Sequence, residues 1–291
     1  MTRKPRALGV DVGGTGIKAA IVDVASGELV TERRRVPTPQ PATPDAVGAA
    51  IASVARAFEF AGPVGVAFPG VVQDGVVRTA ANVASSWVGT SLPDVVGGFL
   101  PGPAAFLNDA DAAGLAEVRY GAGRGVDGTV LVVTFGTGIG VALLHDGRLV
   151  PNGELGHIEI DGVDAERAAA ASAREREGLS WDEWADRASR YLQALESLLW
   201  PSLIVLGGGI SKRPEKWVPR LRTRTPLALA SLRNNAGIAG AALAASRSAS
   251  VPRGVPNLSP AAAGDTGGPA PERPARQPAP YELGAPRAAS L

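Results

Sequence analysis

Apolar and polar positions in the first part of the chain alternate between short strand-like runs and one helical stretch. Apolar runs at residues 7–12, 17–24 and 64–68 have the length and β-branched content of buried strands. A further strand is predicted over residues 28–36. Residues 45–60 follow a proline and carry apolar side chains at helical spacing. This stretch therefore predicts strands interrupted by a helix.

The alternation continues in the rest of the chain and ends near residue 246. The predicted elements are strands at residues 104–107, 130–134, 140–144 and 203–206, and helices from Asp109 onward and at 164–177, 180–199, 214–222 and 236–246. Interleaved strands and helices are typical of an α/β protein, which is the predicted fold class.

Neither the strand-like apolar runs nor the helical apolar spacing continue into the C-terminal segment. Residues 251–291 contain nine prolines and a single aromatic residue, Tyr281. A segment of this composition buries too little apolar surface to offset its ordering entropy. We predict a disordered, Pro/Ala-rich tail over residues 249–291, with Pro-rich docking as the alternative.

Charge and cysteine content narrow the classes of function. The formal net charge is +1 and charged residues make up 20% of the chain, which does not favour nucleic-acid binding. The chain has no cysteine, so disulfides and thiolate metal sites are excluded. Residues 1–6 are basic but no long apolar run follows, and no stretch fits a membrane span. We expect a cytoplasmic protein with no membrane partner.

A glycine-rich segment from Asp11 to Lys18 separates the first two strands. Gly13 and Gly14 let the backbone approach a phosphate closely and take positive φ values. Thr15 can donate its hydroxyl, Lys18 adds charge, and Asp11 can orient a metal ion or its water. The segment lacks the Gly-Lys-Ser/Thr of a Walker motif and a strand follows it, so we predict a hairpin. A phosphate-binding turn and a bare hairpin turn both fit.

Two further glycine runs stand at strand ends. Residues 134–140 repeat the order strand, glycine turn, strand, which suggests two related lobes that present phosphate-contacting hairpins to one cleft. Residues 207–211 follow a buried strand, a ligand position in open α/β sheets. A tight, close-packed turn is the alternative for each run. The candidate donor-binding residues are Gly136, Thr137, Gly138, Gly207, Gly208 and Gly209.

Asn108 and Asp109 stand where a short strand ends and a helix starts. Such residues commonly cap the helix. The same place suits a catalytic carboxylate, because an alcohol is a poor nucleophile until a base accepts its proton. Asp109 is the candidate base, with capping as the alternative. Asp111 is expected to be solvated on another face of the helix.

Glu154 and His157 lie three residues apart after a predicted hairpin strand. A carboxylate and an imidazole suit hydrogen bonds to neighbouring sugar hydroxyls. His157 could also ligate zinc, but no cysteine is present to complete that site. The second histidine, His145, adjoins an Asp-Gly turn and is expected at the surface.

Taken in order, these segments resemble the ROK family of sugar kinases, and within it the branch of polyphosphate glucokinases. The resemblance extends from about Leu8 to Ala244. The matching segments are 11–18, 68–72, 81–82 with 87–90, 107–117, 134–140, 154–157, 207–211 and 232–237.

The resemblance implies a two-lobed, actin-like (ribonuclease H-like) fold and a homodimer. The lobes are expected at residues 1–107, joined by a returning helix at 236–248, and at residues 108–235. Many ROK kinases carry a cysteine-rich zinc motif after the histidine, but this chain has Ile158–Asp161 there, so we expect no zinc.

The resemblance also implies roles for individual residues. Asp109 would accept the proton of the 6-hydroxyl of glucose. The sugar hydroxyls would be held by Asn82, Asn108, Glu154 and His157. The first two glycine turns would hold the phosphoryl donor, with Mg²⁺ bridging its oxygens and Asp11 as a candidate to orient the ion.

A basic cluster suggests what the donor is. It lies within residues 212–224 and is opposed there only by Glu215; its members are Lys212, Arg213, Lys216, Arg220, Arg222 and Arg224. Polyphosphate is a flexible polyanion that needs a basic track. We hypothesise that this cluster guides it, with a solvated helix face as the alternative.

The leading functional hypothesis is phosphorylation of glucose by polyphosphate, with ATP as a second donor. One alternative is an ATP-only hexose kinase that acts on mannose as well. A non-catalytic sugar sensor is the alternative of another class, although it would need neither Asp109 nor the phosphate turns. A dinucleotide-binding enzyme ranks last, because the glycine runs do not open helices.

Overall fold

The computed structural model describes residues 5–80 and 83–250 of the 291-residue chain. The predicted sugar ligand Asn82 and residues 251–291 of the predicted tail lie outside the described residues. In chain order the elements up to residue 108 are β1 (Arg6–Val12), β2 (Ile17–Asp23), β3 (Arg34–Val36), α1 (Pro44–Arg56), β4 (Val64–Phe68), β5 (Val72–Gln73), β6 (Val76–Val77), α2 (Leu92–Val96) and β7 (Ala104–Asn108).

Strands and helices also alternate in the second part of the chain. They are α3 (Asp109–Tyr120), β8 (Thr129–Phe135), β9 (Ile139–His145), β10 (Arg148–Val150), β11 (Glu159–Ile160), β12 (Val163–Asp164), α4 (Ala165–Ala169), α5 (Ala171–Glu177), α6 (Trp181–Leu199), β13 (Leu203–Gly207), β14 (Leu227–Leu229) and α7 (Ala236–Ser250).

Two five-stranded sheets repeat one topology. Their strand orders are β3-β2-β1-β4-β7 and β10-β9-β8-β13-β14. β1 pairs antiparallel with β2 and parallel with β4. In the same way β8 pairs antiparallel with β9 and parallel with β13, so β1 corresponds to β8 and β2 to β9. The two glycine hairpins therefore occupy equivalent positions, and the predicted α/β class is confirmed. The predicted boundaries of the lobes stay a prediction.

Each sheet has an apolar core on its outer face. In the first sheet, alternate residues of β1 such as Leu8 and Val10 pack with α1. In the second, Phe135 lies at the centre of an aromatic cluster, with its ring edge-on to those of Trp184 and Trp217. Edge-on aromatic pairs add about 0.5–1.5 kcal/mol each beyond the area they bury.

Helices α3 and α7 lie between the two sheets and are packed through glycines. A Cβ built on Gly65 of β4 would lie 1.8 Å from the carbonyl oxygen of Ala241 in α7. A Cβ on Gly240 of α7 would lie 1.7 Å from the carbonyl oxygen of Ala112 in α3. These contacts place the N-terminus of α3, which begins at Asp109, against both sheets.

Three predicted elements differ from the structure. The helix predicted at residues 214–222 is wrong: the segment forms short 3₁₀ turns, because Pro214 and Pro219 prevent a continuous helix. The helix predicted at residues 164–177 is broken at Ala170, whose carbonyl accepts the indole N–H of Trp184. The strand predicted at 28–36 is regular only over Arg34–Val36.

The last helix is longer than expected. α7 continues to Ser250, two residues beyond the end predicted for the returning helix at 236–248. None of the helices in the described part of the chain is both long and apolar enough to cross a membrane.

Candidate active site

The N-terminus of α3 is held by Asn108, which caps the helix. Its Oδ1 accepts hydrogen bonds from the backbone N–H groups of Ala110 (2.8 Å) and Asp111 (3.1 Å). Its Nδ2 donates to the carbonyl of Gly70 at 3.1 Å, which ties the end of β7 to the loop after β4. Capping therefore accounts for Asn108, while its expected contact with a sugar hydroxyl stays a prediction.

Asp109 is the first residue of α3 and is partly buried. Its Oδ1 accepts the backbone N–H of Ala110 at 2.8 Å. Burial, together with the negative charges of Asp11 and Glu154, raises the pKa of Asp109 to about 7 against the lowering effect of that hydrogen bond. A carboxylate with this pKa can accept a proton and release it again near neutral pH.

Asp11 lies at the end of β1 and approaches Asp109 from the first sheet. Lys18 Nζ lies 3.4 Å from its Oδ2. Burial nevertheless raises the pKa of Asp11, although the charge of Lys18 opposes the shift. Gly237 in the first turn of α7 backs this carboxylate, since a Cβ there would lie 3.0 Å from its Cγ.

The first glycine turn is a hairpin, as predicted. The N–H of Gly13 donates to the carbonyl of Gly16 at 3.1 Å between antiparallel strands. Arg35 of β3 donates to the carbonyl of Thr15 at 2.8 Å, and the hydroxyl of Thr38 donates to the carbonyl of Gly13. Because the carbonyls are used in this way, the turn is held from the β3 side.

The second glycine turn is also a hairpin and is held by a carboxylate. The N–H of Gly136 donates to the carbonyl of Gly138 at 2.9 Å. Glu166 of α4 accepts the N–H of Ile139 at 2.8 Å, directly after the turn. Ser172 donates its hydroxyl to the carbonyl of Thr137 at 2.6 Å. Glu166 was not among the predicted site residues, because its role depends on a contact 27 positions away in the chain.

The third glycine run is tightly packed. Gly208 has φ +88°, and a Cβ there would lie 2.3 Å from the carbonyl oxygen of Phe135. Gly207 ends β13 and Gly209 begins a 3₁₀ turn. Close packing accounts for Gly208, and contact of these glycines with a phosphoryl donor stays a prediction.

Glu154 and His157 lie together, and Glu154 is close enough to Asp109 to act on its pKa. His157 Nε2 is 3.8 Å from Glu154 Oε2, and His157 Nδ1 is hydrogen-bonded to Asp164 Oδ2 at 2.9 Å. The bond to Asp164 raises the pKa of His157, and burial raises the pKa of Glu154. Asp164 thus orients the imidazole. His145 is exposed, as predicted.

Asp111 is not solvated, so that prediction is wrong. Its side chain is 1% exposed, and Oδ2 accepts the backbone N–H of Asn152 at 2.7 Å. Oδ1 is buried without a hydrogen-bond partner among the described residues. Burial, with a smaller contribution from the charge of Glu154, raises the pKa of Asp111 to about 6 against the lowering effect of the hydrogen bond from Asn152. The side chain of Asn152 pairs with both the N–H and the carbonyl of Val72.

Half of the basic cluster at residues 212–224 is paired with acidic side chains or packed on an aromatic ring. Arg220 forms an ion pair with Asp182, and Arg222 contacts Asp186 at 2.7 Å. Arg224 lies over the ring of Trp200 at 4.3 Å. Because the segment forms no α-helix, its basic residues do not lie on one helix face. Because half of them already have partners, the cluster is not a fully available basic track either.

A magnesium ion would have to draw most of its ligands from the donor. Within residues 5–80 and 83–250, no three histidine or carboxylate side chains converge as a metal site. Mg²⁺ commonly binds one or two carboxylates together with substrate phosphates. Asp11, partly buried beside the first glycine turn, fits such a ligand.

The fold and parts of the sequence are shared with known proteins. The profile of the ROK family matches residues 7–178. A polyphosphate glucokinase of Mycobacterium tuberculosis (strain CDC 1551 / Oshkosh) is 52% identical over 244 residues, which cover 84% of this chain and 92% of the mycobacterial protein.

Two solved structures extend the likeness to three dimensions. The inorganic polyphosphate/ATP-glucomannokinase from Arthrobacter sp. strain KM is 56% identical, has a TM-score of 0.77 and covers 81% of this chain and 96% of its own. A ROK family glucokinase from Streptomyces griseus in complex with glucose and AMPPNP is 26% identical, has a TM-score of 0.71 and covers 84% of this chain and 100% of its own.

Proposed function

This chain belongs to the ROK family, and on that premise we propose that it transfers a phosphoryl group from polyphosphate to glucose, giving glucose 6-phosphate. The Mycobacterium and Arthrobacter relatives, each more than half identical to it, are named for polyphosphate-dependent sugar kinases. The chain is accordingly a glucose kinase.

The observation that carries the mechanism is that carboxylates from two different loops act on Asp109. Asp11 approaches it from the first glycine turn, and Glu154 approaches it from the loop that holds His157. Both charges are close enough to raise its pKa. This proximity supports a role for Asp109 next to both the proposed donor residues and the proposed sugar residues.

The proposed reaction is an in-line displacement. The Asp109 carboxylate accepts the proton of the glucose 6-hydroxyl, and that oxygen forms a bond to the terminal phosphorus. The bond between this phosphorus and the bridging oxygen of the donor breaks, and the shortened donor leaves with the electron pair. Catalysis of this kind depends mainly on positioning and charge stabilisation.

The sugar is proposed to bind against Glu154 and His157. Glu154 accepts hydrogen bonds from sugar hydroxyls, and His157, oriented by Asp164, donates or accepts through Nε2. Asn108 has one amide hydrogen left after its bond to Gly70. Asn82 is also assigned to the sugar, as the family resemblance implies.

The donor is proposed to bind at the two glycine hairpins. The N–H groups at Gly14 and Thr15, and at Thr137, are not used by the backbone bonds that hold the turns. Lys18 supplies positive charge. A bound Mg²⁺ ion would neutralise charge on the donor phosphates, with Asp11 as its protein ligand.

Glucose phosphorylation with ATP is the second activity to be tested, because the Arthrobacter relative is named for both donors and for mannose. A coupled glucose 6-phosphate assay should compare long-chain polyphosphate, ATP and no donor, and a discontinuous assay should compare glucose with mannose. We expect turnover with polyphosphate. Turnover with ATP alone would show that this chain is an ATP-only hexose kinase. The expected homodimer and cytoplasmic location stay predictions.

A further inference from the structure

An open cavity of about 820 Å³ lies between the edge of the first sheet and the segment before α7. Its polar lining includes Arg33 on one wall and Ser231, Arg233 and Asn235 on the other. The two walls touch, since Arg33 Nη1 donates to Asn235 Oδ1 at 3.2 Å. The cavity is therefore polar and carries two guanidinium groups.

The register of the first sheet places more positive charge on the same face. Lys18 is paired directly with Arg35, so both side chains leave the same face of the sheet. Arg34 points to the other face and lies over Phe58 at 5.3 Å, whereas Arg33, just before β3, reaches Asn235.

Lys18 is paired with Asp11, whereas the arginines near this cavity keep their charge for a ligand. Within residues 5–80 and 83–250, no carboxylate forms an ion pair with Arg33, Arg35 or Arg233. Arg220 and Arg222, by contrast, are engaged by Asp182 and Asp186. The edge of the first sheet is thus a better place for an anion than the paired part of the 212–224 cluster.

The backbone at Arg233 supports a binding role. Its φ is +50°, in the left-handed region that asparagine and glycine adopt more easily than arginine. Unfavourable backbone conformations of this kind concentrate at functional sites. The wall is also firmly held, because Glu117 accepts the N–H groups of Ser231 (3.1 Å) and Leu232 (2.8 Å).

The cavity adjoins both parts of the proposed donor site. Ala230 in its lining would lie 3.2 Å from a Cβ built on Gly207. Gly237, two residues after Asn235, packs against the carboxylate of Asp11. A linear polyanion whose end reaches the glycine hairpins can therefore continue into this cavity.

We propose that the cavity binds the part of the polyphosphate chain behind the reacting end, through Arg33 and Arg233, with Arg35 and Lys18 extending the positive surface toward the first hairpin. This inference rests on the proposed function. Guanidinium groups suit phosphate because they donate two parallel hydrogen bonds to it.

The test uses the double variant Arg33→Gln/Arg233→Asn of the full chain. Asparagine tolerates the left-handed backbone at position 233, so the charge is removed without added strain. Steady-state kinetics should be measured with long-chain polyphosphate, tripolyphosphate and ATP as donors. Arg220→Gln/Arg222→Gln is the matched control, since it removes two arginines that are already paired.

We expect the KM for long-chain polyphosphate to rise about tenfold, which corresponds to about 1.4 kcal/mol of binding free energy. The KM values for tripolyphosphate and glucose should change less than about twofold, and the dissociation constant for long-chain polyphosphate should rise in parallel in a direct binding measurement.

Three results would overturn the proposal. They are an unchanged KM for long-chain polyphosphate, an equal rise for all three donors, and a larger rise in the Arg220/Arg222 control. Failure of the proposed function looks different, because wild-type protein would then bind long-chain polyphosphate in this cavity without turning it over.

Discussion

The backbone N–H of Asn152 donates to the carboxylate of Asp111 at 2.7 Å. This bond joins the loop that carries Glu154 to the helix that begins with Asp109. The side chain of Asn152 reaches onward to Val72, which follows β4. The loop after β10 is thereby anchored to both α3 and the β5-β6 hairpin that follows β4, so the proposed sugar ligands have a defined position relative to the proposed base.

Asp109→Asn should remove the base and leave binding intact. An amide cannot accept the hydroxyl proton, so turnover should fall by about 10²–10⁴-fold, while the dissociation constant for glucose changes little. The coupled assay and equilibrium binding of glucose measure the two effects. Asp94→Asn, at the exposed start of α2, is a control that should keep full activity. Undiminished turnover of the Asp109 variant would refute the assignment of the base.

The pH dependence of kcat/KM should follow the ionisation of Asp109. Its pKa is raised to about 7, so the carboxylate is protonated and inactive as a base below that pH. The expected profile falls tenfold per pH unit below about 7 and levels off above it. Asp11→Asn removes one of the charges that raise this pKa and should move the midpoint to lower pH, whatever its effect on the maximal rate. A profile that stays flat down to pH 5 would contradict the role of Asp109.

Asp164→Asn should weaken glucose binding through His157. The hydrogen bond that His157 donates to Asp164 is the main cause of the raised pKa of His157, so that pKa should fall in the variant, and the imidazole should lose its fixed orientation. Because the pair is partly exposed, we expect the KM for glucose to rise only about 3–10-fold, with the KM for donor unchanged.

The matched control for this change is Asp146→Asn beside the exposed His145. The introduced amide would keep an oxygen to accept the N–H of Gly128, so the kinetics of this variant should equal those of wild type. Equal glucose KM values for both variants would show that Asp164 does not act on the sugar site.

Asp111→Asn should change how stability depends on pH. The folded-state pKa of about 6 lies above the ordinary value of 3.8, so the folded protein holds this proton more tightly than the unfolded chain does. In wild type the group therefore costs stability increasingly as pH rises from about 4 to 6, by up to about 3 kcal/mol. Relative to wild type, the variant should gain stability over that range and keep a constant difference above it. Urea unfolding at several pH values measures this, and a difference that does not vary with pH would exclude a buried titrating Asp111.

Gly240→Ala should destabilise the contact between α3 and α7. The added Cβ would lie 1.7 Å from a backbone oxygen, so the helices must move apart. The expected cost of about 1–3 kcal/mol for overpacking exceeds the gain of about 1 kcal/mol in helix propensity. Gly153→Ala is the control, because no atom lies within 4 Å of its Cβ position. Equal thermal midpoints for the two variants would contradict the close packing.

The sequence determined the elements whose signals are local. The central strands of both sheets, the two glycine hairpins and the start of α3 at Asp109 follow from apolar periodicity, glycine placement and a capping side chain, all of which act within a few residues. The short strands β10 and β14 at the edges of the second sheet are not among the predicted elements. Even the repeat of the two sheets could be inferred, since each hairpin lies between strands of similar pattern. The helix predicted at 214–222 failed because two prolines outweighed its spacing.

Tertiary structure alone decided which side chains meet. The sequence predicts that Asp111 is solvated, but the loop at Asn152 covers it. Glu166 holds a glycine turn by accepting the N–H of Ile139, which lies 27 positions earlier in the chain. Arg33 and Arg233 are far apart in the chain but line one cavity. Burial and partnership depend on what packs across from a residue, and packing between α3, α7 and the two sheets is set by contacts that no short stretch of sequence contains.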